Sequence, residues 1–299
     1  MLIVGAGLAG LIAANVFPQA SVIEAAGRDK LEHKALLRFR STAVADATGI
    51  EFRKVRVFKG IWSGGKFVSP DIRLANLYSQ KVICKLADRS IWNLDAVDRY
   101  IAPEDFISQL MDNAGSRIEF NNAFDVGLHS IKREPTISTM PMSLLVKMLG
   151  ETDLPEFKSA PILVTRYRIQ NADVFQTIYF PEHSTNVYRA SITGSLLIVE
   201  SVGAVESSDV LMLMDAFGLH LLQIDVIDET KQQFGKIAPI DDVWRKNFIL
   251  RASTQHNIYS VGRFATWRNI LLDDVVHDLS VVKRLIKMGL YQQTKEASK

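Results

Sequence analysis

The chain has 299 residues, 47% of them hydrophobic, and 35 Lys and Arg against 33 Asp and Glu, for a formal net charge of +2. That balance excludes a surface that is basic throughout, and the apolar fraction suffices for one large or two intertwined domains. The single cysteine, Cys84, excludes an intramolecular disulfide, a cysteine zinc site and a redox dithiol.

Cys84 is read as a small buried apolar residue. The six histidines show no metal-ligand spacing, so no metal is expected. No apolar run is long enough to span a bilayer. The N-terminus lacks the charged n-region of a secretory signal, so a cytoplasmic protein is expected.

The first 24 residues organise the chain. Leu2-Ile3-Val4 reads as a buried strand, Gly5-Ala6-Gly7-Leu8-Ala9-Gly10 as a G-x-G-x-x-G turn, Leu8 to Phe17 as a helix, and Ala20 to Ile23 as a second strand ending in Glu24. This is the dinucleotide-binding βαβ fingerprint in its expected context. Gly5 permits the tight turn, Gly7 lets backbone approach a pyrophosphate, and Gly10 lets helix and strand pack closely. The helix N-terminus offers unpaired N–H groups and a positive dipole end to phosphates. An acid at Glu24 suits free ribose hydroxyls, hence FAD or NAD rather than NADP.

The segment from Arg28 to Arg40 is strongly charged, with His33 to Phe39 read as helical. Arg38 and Arg40 flank Phe39. They are either solvated helix charges or groups that reach a phosphate or a substrate anion. Lys54 to Trp62, Ser63-Gly64-Gly65 and Lys66 to Val68 read as a β-hairpin, and Ile72 to Leu86 has helical character. Between Phe52 and Lys85 stand eight basic residues, Arg53, Lys54, Arg56, Lys59, Lys66, Arg73, Lys81 and Lys85, against Asp71 alone. That segment therefore carries +7 and the rest of the chain 2 − 7 = −5. With Trp62 and Tyr78 it suits either an anionic partner such as a nucleic-acid backbone or a solvated hairpin face.

Asp88 to Tyr100 is expected to be extended and then looped. Pro103 opens a helix to Asn113 that Gly115 stops. Arg117 to Phe120 and Thr136 to Thr139 are strands, and Ser143 to Leu149 a helix. From Pro161 the pattern is all-β: Ile162 to Ile169, Val174 to Phe180, Val187 to Ile192 and Leu196 to Ser201 suit an antiparallel sheet. Alternation puts Arg166 and Arg168 on one face, shared with Tyr179, Tyr188 and Arg189, as a substrate floor or a solvated surface. Asp209 to His220 is a helix. Glu200 to Asp242 holds nine acids against Lys231 and Lys236, and is read as a solvated acidic lobe far from any anion. Asp241 to Thr254 is a helix, Ile258 to Val261 a strand, Leu272 to Met288 a long amphipathic helix, and QQTKEASK a frayed tail.

These residues together resemble flavoproteins of the amine oxidase and UDP-galactopyranose mutase type. The N-terminal fingerprint ending at Glu24, the TISTMP segment (Thr136 to Pro141) and IYSVGRFATWRN followed by a helix carry the resemblance. It implies an α/β fold in which a Rossmann-like FAD-binding domain (residues 1–50, 103–155 and 237–299) is interleaved with a smaller antiparallel-sheet substrate domain (51–102 and 156–236), as in glutathione-reductase-like flavoproteins. It implies FAD contacts at Gly5, Ala6, Gly7, Leu8, Ala9, Gly10, Glu24, Ala25, Arg38, Thr139, Gly262, Arg263, Trp267, Arg268 and Asn269. Substrate contacts are expected from Arg38, Arg40, Arg166, Arg168, Tyr188 and Arg189. The sequence departs from the family after the acid, where Ala26-Gly27-Arg28 replaces a G-G-R-type segment.

LLRFRS, SIWNL, RYIAPE and VYRASITG further resemble segments of small phage-encoded flavoproteins, some of which hypermodify thymine in DNA. That likeness implies FAD-dependent oxidative cleavage of an aminoacyl group on the thymine methyl carbon, with modified DNA as partner. One dinucleotide fingerprint without a second favours an oxidase-like cycle, in which the cofactor carries the chemistry. Two alternatives are a mutase acting on a nucleotide sugar with reduced FAD, and a flavin-dependent sensor.

Overall fold

The computed structural model describes residues 1–30, 36–87, 91–220 and 223–291. In chain order its strands and helices are β1 (Leu2–Val4), α1 (Leu8–Val16), β2 (Ser21–Glu24), β3 (Arg38–Phe39), α2 (Ala43–Thr48), β4 (Arg53–Ser63), β5 (Lys66–Val68), α3 (Ile72–Ile83), β6 (Val97–Ile101), α4 (Phe106–Ala114), β7 (Ile118–Phe120), α5 (Val126–Lys132), β8 (Thr136–Ser138), α6 (Met142–Met148), β9 (Ser159–Ile169), β10 (Val174–Tyr179), β11 (Val187–Gly194), β12 (Leu196–Ser201), α7 (Ser207–Phe217), β13 (Ile224–Ile237), α8 (Asp242–His256), β14 (Ile258–Ser260) and α9 (Leu272–Lys287).

Two sheets result. A five-stranded sheet in the order β14-β8-β1-β2-β7 is parallel throughout. Both faces of a parallel sheet must be covered, and here they are. On one face Ile3, Ile137 and Tyr259 pack with α1, α4 and α9; on the other Val4 and Ile258 pack with α6, α8 and Trp267. Helix α1 is apolar on all sides because it lies inside this layer, against α2, α4 and α9.

The second sheet runs β13-β9-β12-β11-β10-β4-β6-β3, with β5 on β4. Its pairings are antiparallel apart from β10 with β4. Tyr167, Ile169, Ala190, Leu197 and Val199 pack under α7, while Ile162, Val164, Tyr179, Tyr188 and Ile198 pack with α3 on the opposite face. The fold is thus a mixed α/β arrangement, a parallel Rossmann-like sheet joined to a larger curled one.

Several expectations are corrected. Arg38–Phe39 is not helical but an edge strand of the second sheet, paired with Tyr100 and Ile101; residues 31–35 of the expected helix lie outside the described residues. The expected extended-then-looped stretch runs the other way, a loop that leads into β6; residues 88–90 and the tail 292–299 also lie outside the described residues. The acidic lobe contains β13, a 14-residue strand along β9. Its acids do not form a free lobe: Asp228 is paired across the sheet with Arg166, and Glu229 accepts from Thr165. Cys84 is exposed and caps α3 in the left-handed region, φ 54°. The short helices α2 and α5 carry too little periodicity to be read in advance. No described helix is long and apolar enough to cross a membrane.

Lys81 belongs to the structure and not to a basic surface. Its ammonium donates to the carbonyls of Phe180, Glu182 and Val187 at 2.9, 2.7 and 2.5 Å and pins α3 to the turn before β11. Burial draws its pKa down to about 7, against the pull of Asp209 and Glu182. Lys81→Met strands three carbonyls, and we expect it to lower the unfolding free energy by about 2–4 kcal/mol. Urea unfolding checks this; an unchanged midpoint refutes it.

Candidate active site

A cleft of about 840 Å³ opens where the two sheets meet. One wall is the start of α1, Gly7, Leu8 and Ala9, with Thr139 and Gly262 beside it. A second wall is the turn into α9, Leu271 to Asp273. The floor is the second sheet, through Arg38, Arg189, Glu200 and the β13 residues Thr230, Lys231, Gln232, Gly235 and Lys236. Its size falls within the usual range for small-molecule and cofactor sites.

The glycine turn is tight for a physical reason. A Cβ on Gly10 would lie 1.8 Å from the Gly5 carbonyl oxygen. Gly5 has φ +96°, and a Cβ there would meet Thr139 Oγ1 at 2.4 Å. Thr139 in turn donates to Val4 O at 2.8 Å. Gly262 has φ +97°, and a Cβ there would lie 2.9 Å from Ala9 Cβ. Gly7 differs from these, since an ideal Cβ on it meets nothing within 4 Å. Its backbone faces open space in the cleft, and no side chain caps the first turn of α1. That is the arrangement a pyrophosphate needs, backbone donors at a helix end with room to approach.

Glu24 braces the turn. Its two oxygens accept from Ala6 N at 2.7 Å and Ala26 N at 2.8 Å. A carboxylate oxygen has two acceptor sites, so each keeps one for a ribose hydroxyl. These residues fit FAD: Gly7 to Ala9, with Gly262 beside them, would hold the pyrophosphate, Glu24 the adenosine ribose, and the 271–273 turn would form the second wall. Ala6 is buried in the core, while Ala25 is exposed next to Glu24.

The remaining expected residues separate clearly. Arg38 lies in the floor and donates to Thr177 Oγ1 (2.7 Å), Thr193 Oγ1 (2.9 Å), Gln176 O (3.1 Å) and Ile192 O. All four partners are uncharged. Burial, helped by the charge of Arg189, draws its pKa down to about 9, so it stays charged at neutral pH. Arg189 and the buried Tyr188 both bind Glu200. Burial raises Tyr188 well above its ordinary value. Burial pushes Glu200 up, but the charge and hydrogen bonds of Arg189, with Lys236 and Tyr188, together outweigh it and the carboxyl lies below its usual range.

Arg166 forms a two-pronged pair with Asp228, at 2.8 and 2.5 Å, and Arg168 is exposed; neither lines the cleft. The Arg40 side chain is exposed. Arg263 does line the cleft and donates to Gly235 O at 3.1 Å and to Asn269 Oδ1 at 3.4 Å. Trp267 is buried in the core behind the sheet, edge-on to Phe157, with Nε1 donating to Ala238 O. Arg268 is paired with Asp278. Trp267, Arg268 and Asn269 therefore shape the loop and do not line the cleft.

Sequence reasoning missed Glu200, Lys236 and Asp273. Glu200 stands near the end of a strand that the sequence does show, but it and Lys236 fall in the stretch that reads as a solvated acidic lobe. Asp273, in the first turn of α9, accepts from Ser41 N at 3.0 Å, Ser41 Oγ at 2.9 Å and Arg40 N at 3.2 Å. It ties the segment after β3 to the cleft wall, and an acid that opens a helix at the cleft was the signal for it.

No family model and no curated protein matches this sequence. Solved structures do. Reduced UDP-galactopyranose mutase matches at 15% identity over 98% of this chain and 96% of that one, TM-score 0.65. RebC-10x matches at 12% identity over 99% of this chain, TM-score 0.58, and this chain spans 63% of its length. An oxidoreductase from Methanosarcina mazei matches at 10% identity over 95% and 99%, TM-score 0.53. At these identities the likeness shows the fold alone, one shared with UDP-galactopyranose mutase and RebC-10x.

Asp273→Ala removes the acceptor for three donors of residues 40 and 41. We expect a stability loss of about 1–3 kcal/mol and faster proteolytic nicking of the folded protein between β3 and α2. Nicking at the wild-type rate would show that the tie does not hold this segment.

Proposed function

We propose that this chain is an FAD-dependent oxidoreductase of the amine-oxidase type acting on an anionic substrate. The observation that carries the reading is the cleft itself: a glycine turn and an uncapped helix end on one side, and a floor of Arg38, Arg189 and Lys236 on the other. When bound, FAD supplies a two-electron acceptor for hydride from the carbon next to the substrate nitrogen, and the imine left behind hydrolyses in water. The chain's residues then orient and desolvate. The α1 N-terminus neutralises the pyrophosphate, the second sheet closes the cleft from below, and the floor arginines hold the substrate anion.

In its finer form the substrate is a thymine in DNA that carries a glycyl group through its nitrogen on the methyl carbon, and hydrolysis of the imine leaves an aminomethyl base and releases glyoxylate. What supports this form is the set of exposed cations Lys66, Arg73 and Lys85 and the sequence resemblance to phage flavoproteins. Other members of the basic segment are engaged within the protein. Lys54 and Arg56 pair with Asp98, Arg53 pairs with Asp173, and Lys59 donates to Asn93 O. A base must leave the stack to enter such a cleft. A second reading, a mutase acting on a nucleotide sugar with reduced FAD, is favoured by the near full-length match to UDP-galactopyranose mutase.

Three measurements test the proposal. Gly7→Val places a side chain in open space, so the variant should fold with a normal melting curve yet lose its yellow colour; full flavin content would refute the cofactor site. In the wild type under anaerobic conditions, duplex DNA with glycyl-thymine should bleach the oxidised flavin band. A band that stays put with this DNA, together with turnover of a UDP-sugar by dithionite-reduced protein, would select the mutase. Charge reversal at Lys66 and Arg73 should weaken DNA binding and lower its salt slope by about 2; unchanged binding removes DNA as partner of this face.

A further inference from the structure

The floor of the cleft is built around a carboxylate that no motif announced. Glu200 is 3% exposed and lies on β12. It accepts three hydrogen bonds: from Tyr188 OH at 3.2 Å, from Arg189 Nη2 at 2.7 Å, and from Arg189 Nε. The two bonds from Arg189 form a two-pronged pair, the geometry that fixes a guanidinium plane as well as its place. A shift in register between Val187 and Arg189 lets the adjacent Tyr188 and Arg189 both reach Glu200. Lys236 Nζ stands 5.0 Å from the centre of the Tyr188 ring.

The charges here do not cancel. Arg189 is matched by Glu200. Arg38, bound only by hydroxyls and carbonyls, pairs with no carboxylate among the described residues. An unmatched guanidinium is costly to bury, and four hydrogen bonds hold it in place beside the cleft. Arg189 uses Nε and Nη2 on Glu200, which leaves the remaining edge of its plane for a ligand.

We infer that Glu200 is a positioning residue, which fixes Arg189 in the cleft floor so that Arg189 and Arg38 together form an oxyanion subsite. The subsite takes a carboxylate or phosphate group of the substrate. This rests on the proposed flavoenzyme reading only in assigning that oxyanion to the substrate. The geometry makes a prediction of unusual sign. Removing the charge of Glu200 adds positive charge to the floor, and by electrostatics alone it should tighten anion binding. If orientation dominates, it weakens binding instead. Glutamine keeps the shape but turns one acceptor into a donor that faces the guanidinium, which breaks the two-pronged pair.

The experiment titrates the purified yellow protein with inorganic phosphate and, separately, with acetate, and follows the flavin difference spectrum. We expect the wild type to bind at least one of the two, and the tighter one identifies the class of oxyanion. Glu200→Gln should weaken that binding at least about tenfold while retaining flavin, and Glu200→Asp, with its two-oxygen head, should recover most of it. Equal or tighter binding by Glu200→Gln overturns the inference, as does a wild type that binds neither anion. Should Glu200→Gln fail to fold, Arg189→Lys carries the test, since an ammonium cannot form the pair. Unchanged affinity there also overturns it. A colourless wild type would defeat the flavin reading instead, and calorimetry with phosphate would then read the subsite alone.

Discussion

The close approach of Gly10 to the carbonyl of Gly5 is the constraint from which the site follows. A single side-chain carbon at Gly10 would sit 1.8 Å from that oxygen, so helix α1 can start where it does only without one. The start of α1 is thereby pressed against the ends of β1 and β8, with Thr139 behind Gly5 and Gly262 beside Ala9. Three separate strand-to-loop junctions meet at one helix end. The cleft lies there because parallel strands deliver their C-terminal ends to the same edge. The second sheet then needs only to lie across that edge to enclose it.

Legibility in the sequence follows how local each signal is. The βαβ unit, the Ser63-Gly64-Gly65 hairpin and the strands β9 to β12 were legible because alternation, turn glycines and β-branched runs are written within ten residues. What failed was decided by distant partners. The stretch through Phe39 reads as a helix, yet Thr177 and Thr193, roughly 140 and 155 residues away, make Arg38 part of a sheet floor. Strand β13 reads as an acidic lobe because its acids are visible in sequence and Arg166, which answers Asp228, is not visibly theirs. Trp267 stands in the right segment, but its ring turns into the core behind the sheet.

The same distinction reorders the charge map. Counted along the chain, positive charge concentrates between Phe52 and Lys85. In space much of it is spent. Asp98 answers Lys54 and Arg56, Asp173 answers Arg53, and backbone carbonyls consume Lys81. Exposed pairs of this kind add little stability, but they do cancel field at the surface. A cation that pairs with no carboxylate among the described residues lies instead in the floor of the cleft, at Arg38.

Uncompensated charge in a cleft acts more strongly than the same charge on a hairpin face. The low-dielectric walls around Arg38 screen it less than water would, and its four hydrogen bonds spare it the reorganisation that a surface lysine undergoes on binding. Under the proposed reading, an anion entering from solvent would meet Arg189 already held by Glu200 and Arg38 paired with no carboxylate among the described residues. In the proposed function, selectivity for the substrate would lie in the second sheet and affinity for the cofactor in the glycine turn of the first. The two can vary independently, because they share a cleft and no hydrogen bond joins Glu200 or Arg38 to the turn from Gly5 to Gly10 among the described residues.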